Sequence, residues 1–288
     1  MKDDDAIPRN VQPLSVHEEK PLSSWSEYRD AIAAIRDQFA HHSKGDERRY
    51  ANCIVYRGQR CAAWALETTL ERERVGNLTA LQYFERATRH RRELESLTGM
   101  AWHVPDDDEA KEQLGRDADS LRVYPPAYPY LVYLRHHGFP SPLLDWSLSP
   151  YVAAFFAFAE VNHQSDERVA VYAYIETPRG TKAGWLGAPV ITLLGPHVAT
   201  DRRHFLQQAV YTWCVQPNDS GDFRLCSHHE VLQRPSDRQD TLIRITLPAS
   251  EKRAALSDLF DHNINPYTLF GTEDALARTL AMKAFVLG

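Results

Sequence analysis

The chain has 288 residues, 43% of them hydrophobic and 25% charged, with a formal net charge of −6. That balance excludes intrinsic disorder and a surface given over wholly to nucleic acid, and it leaves room for a local basic patch. The length suffices for a full core, and the four cysteines, Cys53, Cys61, Cys214 and Cys226, stand in no paired zinc spacing, so they read as reduced thiols of a cytoplasmic protein.

Met1 to Pro21 is charged and proline-containing, without the basic-then-apolar layout of a signal peptide, and is expected to be an N-terminal tail. No later stretch approaches the ~18 apolar residues of a membrane span. Residues 22–288 are expected to form a single domain with a variable insert at about 99–124. Within it, Ser23 or Ser24 caps a helix whose Trp25, Tyr28, Ile32, Ile35 and Phe39 recur at helical spacing.

Tyr50 to Gln59 is apolar and β-branched enough for a buried strand, yet it closes on Tyr56-Arg57-Gly58-Gln59. A guanidinium beside a core is costly unless an anion or carboxylate meets it, and Gly58 permits close approach of a ligand or of another backbone. Two readings stand: an anion site, or a structural ion pair of Arg57 with Asp145 or Glu67. From Ala65 to Thr98 the pattern is helical, and Arg86, Arg89, His90, Arg91 and Arg92 form a basic run that reads first as a solvated face and second as a face toward phosphates. Asp106-Asp107-Asp108-Glu109 lacks the glycine and closing glutamate of a calcium loop, and a loop is expected there.

The stretch from Tyr133 to Glu160 carries the most information. A helix ends at Gly138, Leu143 to Ser147 is extended, and Ser149-Pro150 opens a helix that is apolar all round and therefore buried. Asp145, Ser147 and Ser149 alternate along the extended part and share a face, with Trp146 and Leu148 on the other. A carboxylate and two hydroxyls on one edge suit a binding site; equally, Ser149 suits an N-cap and Asp145 a turn acceptor. His136 and His137 at the preceding helix end read as dipole partners or core residues, or as ligand-binding groups. Strands follow at 168–175, 190–194, 209–215 and 241–247, then closing helices at about 249–260 and 272–284. Strands gathered after helices, without steady βαβ alternation, give an α+β fold: a helical N-terminal part packed on a central mixed or antiparallel sheet.

Tyr56-Arg57-Gly58-Gln59, Trp64-Ala65-Leu66, Arg72, His136-His137-Gly138-Phe139-Pro140, Leu143-Leu144-Asp145-Trp146-Ser147 and Ser149-Pro150 together resemble the FRG domain family, and Arg203, Gln207, Tyr211 and Thr212 extend the likeness downstream. Ser141-Pro142 and Ala209 depart from that family's usual Thr-Arg and Gly. A more distant resemblance, to ADP-ribosyltransferases of the arginine-serine-glutamate kind, rests on an Arg-Gly at a strand end, a Ser-x-Ser leading into an Ala-rich helix, and a polar residue opening a later strand.

That second resemblance implies an ADP-ribosyltransferase-like core and an NAD-dependent transfer. Arg57 with Tyr56, Gly58, Gln59, His136, Trp146, Ser147 and Ser149 would hold NAD, and the catalytic group would come from Asp145, Gln207, Gln208 or Glu230. It further implies a growth-inhibiting toxin or phage-defence effector, a nucleic-acid or protein acceptor, and a neutralising antitoxin partner. A nucleotide-binding interaction module without turnover, and a nuclease using Asp145, Glu160 or Glu230 with Mg²⁺, are the alternatives.

Overall fold

The computed structural model describes residues 18–39, 53–117, 123–161, 167–176, 187–233 and 240–288. Residues 1–17 of the expected tail, Tyr50 to Asn52 of the expected first strand and residues 118–122 of the expected insert lie outside them.

Among the described residues, eight strands form one open, mixed sheet: β1 (Glu18–Pro21), β2 (Ile54–Gln59), β3 (Leu144–Ser147), β4 (Arg168–Ile175), β5 (Val190–Leu194), β6 (Ala209–Pro217), β7 (Phe223–Leu225) and β8 (Thr241–Pro248). Their order is β1-β8-β4-β2-β3-β6-β5, and β7 pairs with β6. β1, within the stretch expected as a tail, runs parallel to β8; every other pairing is antiparallel.

The sheet has one weak seam. β2 pairs with β4 along its whole length, from Ile54 with Ile175 to Gln59 with Ala170. β3 pairs with β6 in the same way, from Leu144 with Thr212 to Ser147 with Ala209. Between β2 and β3 the only register pair is Tyr56 with Ser147. The two half-sheets therefore meet at the row Tyr56–Ser147–Ala209 and fork beyond it, on the side of Arg57 and Asp145.

Alternation along the strands sorts the core into three parts. Tyr56, Val171, Ala173, Ile243 and Ile245 face the helices Tyr28–Phe39, Pro150–Phe158 and Lys252–Asp261. Tyr211, Trp213, Val215 and Leu194 face the helices Ala80–Thr88, Asp107–Asp117 and Tyr128–His136. Val55, Trp146, Tyr172, Tyr174, Val210 and Cys214 fill the opposite face, with Leu66 and Leu232.

The helix Pro150–Phe158 begins as its sequence dictates, with the Ser149 hydroxyl accepting from the Val152 N–H at 3.3 Å and proline in the first turn. It lies unusually close to β2. A Cβ on Gly58 would stand 1.8 Å from the Ala153 carbonyl oxygen and 2.6 Å from the Ala157 nitrogen. Gly58 thus serves the approach of another backbone, which settles the choice between ligand and backbone at that residue.

Residues 107–117 are helical where a loop was expected. Asp106 accepts from the Glu109 N–H at 2.9 Å, and Asp107, Asp108 and Glu109 occupy the first turn, where carboxylates meet the positive end of the helix. Ala110 and Leu114, one turn apart, are both buried, Leu114 in the second core. The acidic run is a helix start signal.

Candidate functional site

At the fork, Arg57 occupies the gap that strand pairing leaves. Its Nη1 donates to the Asp145 backbone carbonyl at 2.9 Å, so a side chain caps a β3 acceptor that no β2 backbone N–H reaches. The same nitrogen lies 3.9 Å from Asp145 Oδ2, which makes Asp145 the ion-pair partner of the two foreseen.

Arg135, from the last turn of Tyr128–His136, donates through Nη2 to the same Oδ2. Two guanidiniums therefore share one carboxylate, their side chains 17% and 16% exposed against 36% for Asp145. The surplus is positive. Burial pushes the Arg57 guanidinium down to about 10 against the pull of Asp145, and the charges of Arg135 and Arg72 push it the same way. At neutral pH it remains a cation. Arg57 Nε and Arg135 Nε are both buried without a hydrogen-bond acceptor among the described residues. Such donors are costly unless an acceptor meets them, and an anion is the acceptor that two guanidiniums suit best.

His136 stands beside this cluster. Its Nε2 lies 2.7 Å from the hydroxyl of Tyr211, the residue registered opposite Asp145 on β6. Burial pushes the imidazole down to about 4, although Asp145 pulls it upward, so it is neutral at pH 7. Arg203, from the helix Arg202–Leu206, donates to the His136 carbonyl at 3.1 Å. On the opposite face, His228 is 1% exposed, with Nε2 3.0 Å from Thr212 Oγ1; that hydroxyl also receives the Trp146 indole N–H at 2.9 Å.

Burial, with the Arg57 charge adding to it, pushes His228 down to about 3. A histidine neutral in the fold binds protons only after unfolding, so stability rises with pH between the folded and unfolded pKa values. The protein is expected to hold full stability above about pH 6.5 and to lose it steadily below, by about 1.4 kcal/mol per pH unit for His228 alone. Urea midpoints at pH 7 and pH 5 read this directly: His228→Gln should flatten the difference, and an unchanged slope would show that His228 is charged in the fold.

The other sequence-predicted residues fall around the fork in different roles. Tyr56 is 1% exposed and packs in the first core, on the face of β2 opposite to Arg57. Gln59 Nε2 donates to the Trp64 carbonyl at 2.7 Å. Trp146 is buried with its ring 5.3 Å from that of Tyr174. The Ser147 hydroxyl donates to the Gln207 carbonyl at 2.8 Å and accepts from the Ser149 N–H at 3.0 Å. Gln207 Nε2 donates to the Leu269 carbonyl at 3.2 Å. Gln208 takes a left-handed conformation, φ 48°, and its carbonyl accepts from Leu148 N at 2.9 Å. Glu230 is exposed in the first turn of His228–Leu232.

The structure thus gathers Arg57, His136 and Asp145, and separately ties Ser147 to Gln207 and Leu148 to Gln208. Arg135, Tyr211 and His228 were not singled out for the site. The signal for Arg135 was a lone arginine closing an otherwise apolar helix. Among the described residues, no group of three or more His, Cys, Asp or Glu side chains could hold a metal ion, and no helix is long and apolar enough to cross a membrane.

No curated protein and no solved structure matches the chain. A family model does match: it covers residues 52–166 and takes in Arg57, Arg135, His136 and Asp145, while Arg203, Gln207, Tyr211 and Thr212 lie beyond it. Over residues 52–166 the chain carries an FRG domain.

Proposed function

We propose that the chain is an NAD-dependent ADP-ribosyltransferase whose nucleotide site is the fork between β2 and β3. One observation carries the reading. The positions of the arginine-serine-glutamate resemblance, Arg57, Ser147 with Ser149, and Gln207 or Gln208, all lie within two residues of the row Tyr56–Ser147–Ala209, Arg57 and Ser147 on neighbouring strands and the two glutamines immediately before β6. The surplus of guanidinium charge and the two partnerless Nε donors fit a diphosphate.

NAD would supply the glycosidic bond that breaks and the ADP-ribosyl group that moves. Arg57 and Arg135 would bind and orient its phosphates. Asp145, held by both arginines, would act as a fixed negative charge near a developing cation. Gln207 and Gln208, which cannot act as a base, stand where that resemblance expects a glutamate, and this favours a second reading, nucleotide binding without turnover. An effector role on a nucleic-acid or protein acceptor, with a neutralising partner, belongs to the first reading.

Both readings are tested with NAD labelled in its adenylate part, added to purified protein and a bacterial lysate while nicotinamide release is followed. Label entering macromolecules with the wild type alone supports transfer and names the acceptor class. Binding without release supports the module. Arg57→Ala should weaken NAD binding by about 10- to 150-fold, the equivalent of ~1.5–3 kcal/mol for a charge-assisted bond. Unchanged affinity in a folded Arg57→Ala protein rules out the fork as the site.

A further inference from the structure

A chain of hydrogen bonds leads away from His136 into the protein. His136 Nε2 is 2.7 Å from the Tyr211 hydroxyl, that hydroxyl is 3.4 Å from His204 Nδ1, and His204 Nε2 is 2.6 Å from the Pro196 carbonyl oxygen. Tyr211 and His204 are fully buried, at 0% and 1% exposure. The far end of this chain fixes its polarity. A carbonyl oxygen only accepts, so His204 Nε2 carries a proton. Burial holds His204 below its ordinary pKa and neutral, so its Nδ1 is a bare acceptor.

The Tyr211 O–H then donates to His204 Nδ1, and its oxygen is left to accept from His136 Nε2–H. In this arrangement every buried donor and acceptor of the chain is satisfied. The reverse one, with Tyr211 donating to His136, sets two lone pairs against each other at His204. The direction ends at His136, where Nδ1 must be the unprotonated nitrogen. Among the described residues no side chain takes up His136 Nδ1.

We propose that Tyr211 and His204 are positioning residues that hold His136 in its Nε2–H tautomer, so that Nδ1 is presented beside the Arg57–Arg135–Asp145 cluster as a hydrogen-bond acceptor for a ligand hydroxyl. Two arginines for phosphate and an imidazole acceptor alongside match a phosphorylated sugar with a free hydroxyl, such as the ribose of a nucleotide. The identity of that ligand rests on the nucleotide reading above; the tautomer does not.

The test is nitrogen NMR of the histidine rings in the full chain at pH 7.5, without ligand. Wild type should show His136 and His204 both protonated at Nε2. Tyr211→Phe removes the acceptor for His136 and should turn its ring into a mixture of tautomers. His204→Leu should do the same, whereas His204→Gln, whose amide can donate to Pro196 and accept from Tyr211, should preserve the wild-type state. A wild-type His136 protonated at Nδ1, or one indifferent to Tyr211→Phe in a folded protein, overturns the proposal.

Titrating ADP-ribose while watching the Arg57 Nε and His136 Nδ1 signals then addresses the ligand. Movement of both supports the acceptor role, and movement of the arginine alone overturns it. If neither moves, it is the nucleotide reading that has failed, and the tautomer result still decides the relay.

Discussion

Gly58→Ala is expected to lower the melting temperature by roughly 10 °C or more. Overpacking a core costs ~1–3 kcal/mol when side chains can shift. Here the new Cβ would lie 1.8 Å from the Ala153 carbonyl oxygen, a backbone atom inside the helix Pro150–Phe158, so no rotamer relieves it. Either that helix lifts from β2 or the strand leaves its register with β4. The first exposes Ala153, Ala157 and Tyr56; the second turns β2 inside out. Thermal melts of wild type and Gly58→Ala decide the matter, and equal midpoints would mean that the helix does not sit where it is placed.

Asp145→Ala should cost about 3 kcal/mol, because it leaves the partly buried guanidiniums of Arg57 and Arg135 facing one another without their shared carboxylate. The cost falls at the lower end of the range for a broken buried ion pair because Asp145 is 36% exposed. Asp145→Asn keeps the shape and should lose nearly as much, which separates charge from packing. Both variants should be stabilised by millimolar phosphate more than the wild type is, since an anion replaces the missing carboxylate. A melt of Asp145→Ala equal to wild type would show that the cluster contributes no net electrostatic stability. Destabilisation without phosphate rescue would leave the ion pair standing and remove the anion site.

The strands β4, β5 and β8 were legible almost to the residue, since runs such as Arg168–Ile175 and Thr241–Pro248 combine β-branched and aromatic side chains with clear punctuation. An ion pair of Arg57 with Asp145 was one of the readings left open, because an arginine closing a core strand demands a counter-charge, but local pattern did not choose it over Glu67 or a bound anion. The seam between β2 and β3 was not legible. Pairing between residues as distant as Tyr56 and Ser147 is set by how two half-sheets twist and pack, and local pattern does not record it. His136, His204 and Tyr211 come from three separate elements, so their hydrogen bonds leave no spacing to read. The helix Asp107–Asp117 was missed for a different reason. Consecutive carboxylates were weighed as possible ligands, whereas the decisive signal was Asp106 as a cap followed by buried Ala110 and Leu114.

The single register pair between β2 and β3 also separates the unit of sequence likeness from the unit of folding. The matched stretch, 52–166, contains β2 and β3 but neither β4 nor β6, the neighbours with which each of them is fully paired. A fragment trimmed to that stretch would keep one cross-strand pair and bare the two strand edges that β4 and β6 cover in the full chain. Expressed alone it should aggregate or stay unfolded, and a workable boundary must reach at least from β1 to β8, because the first strand seats on the last.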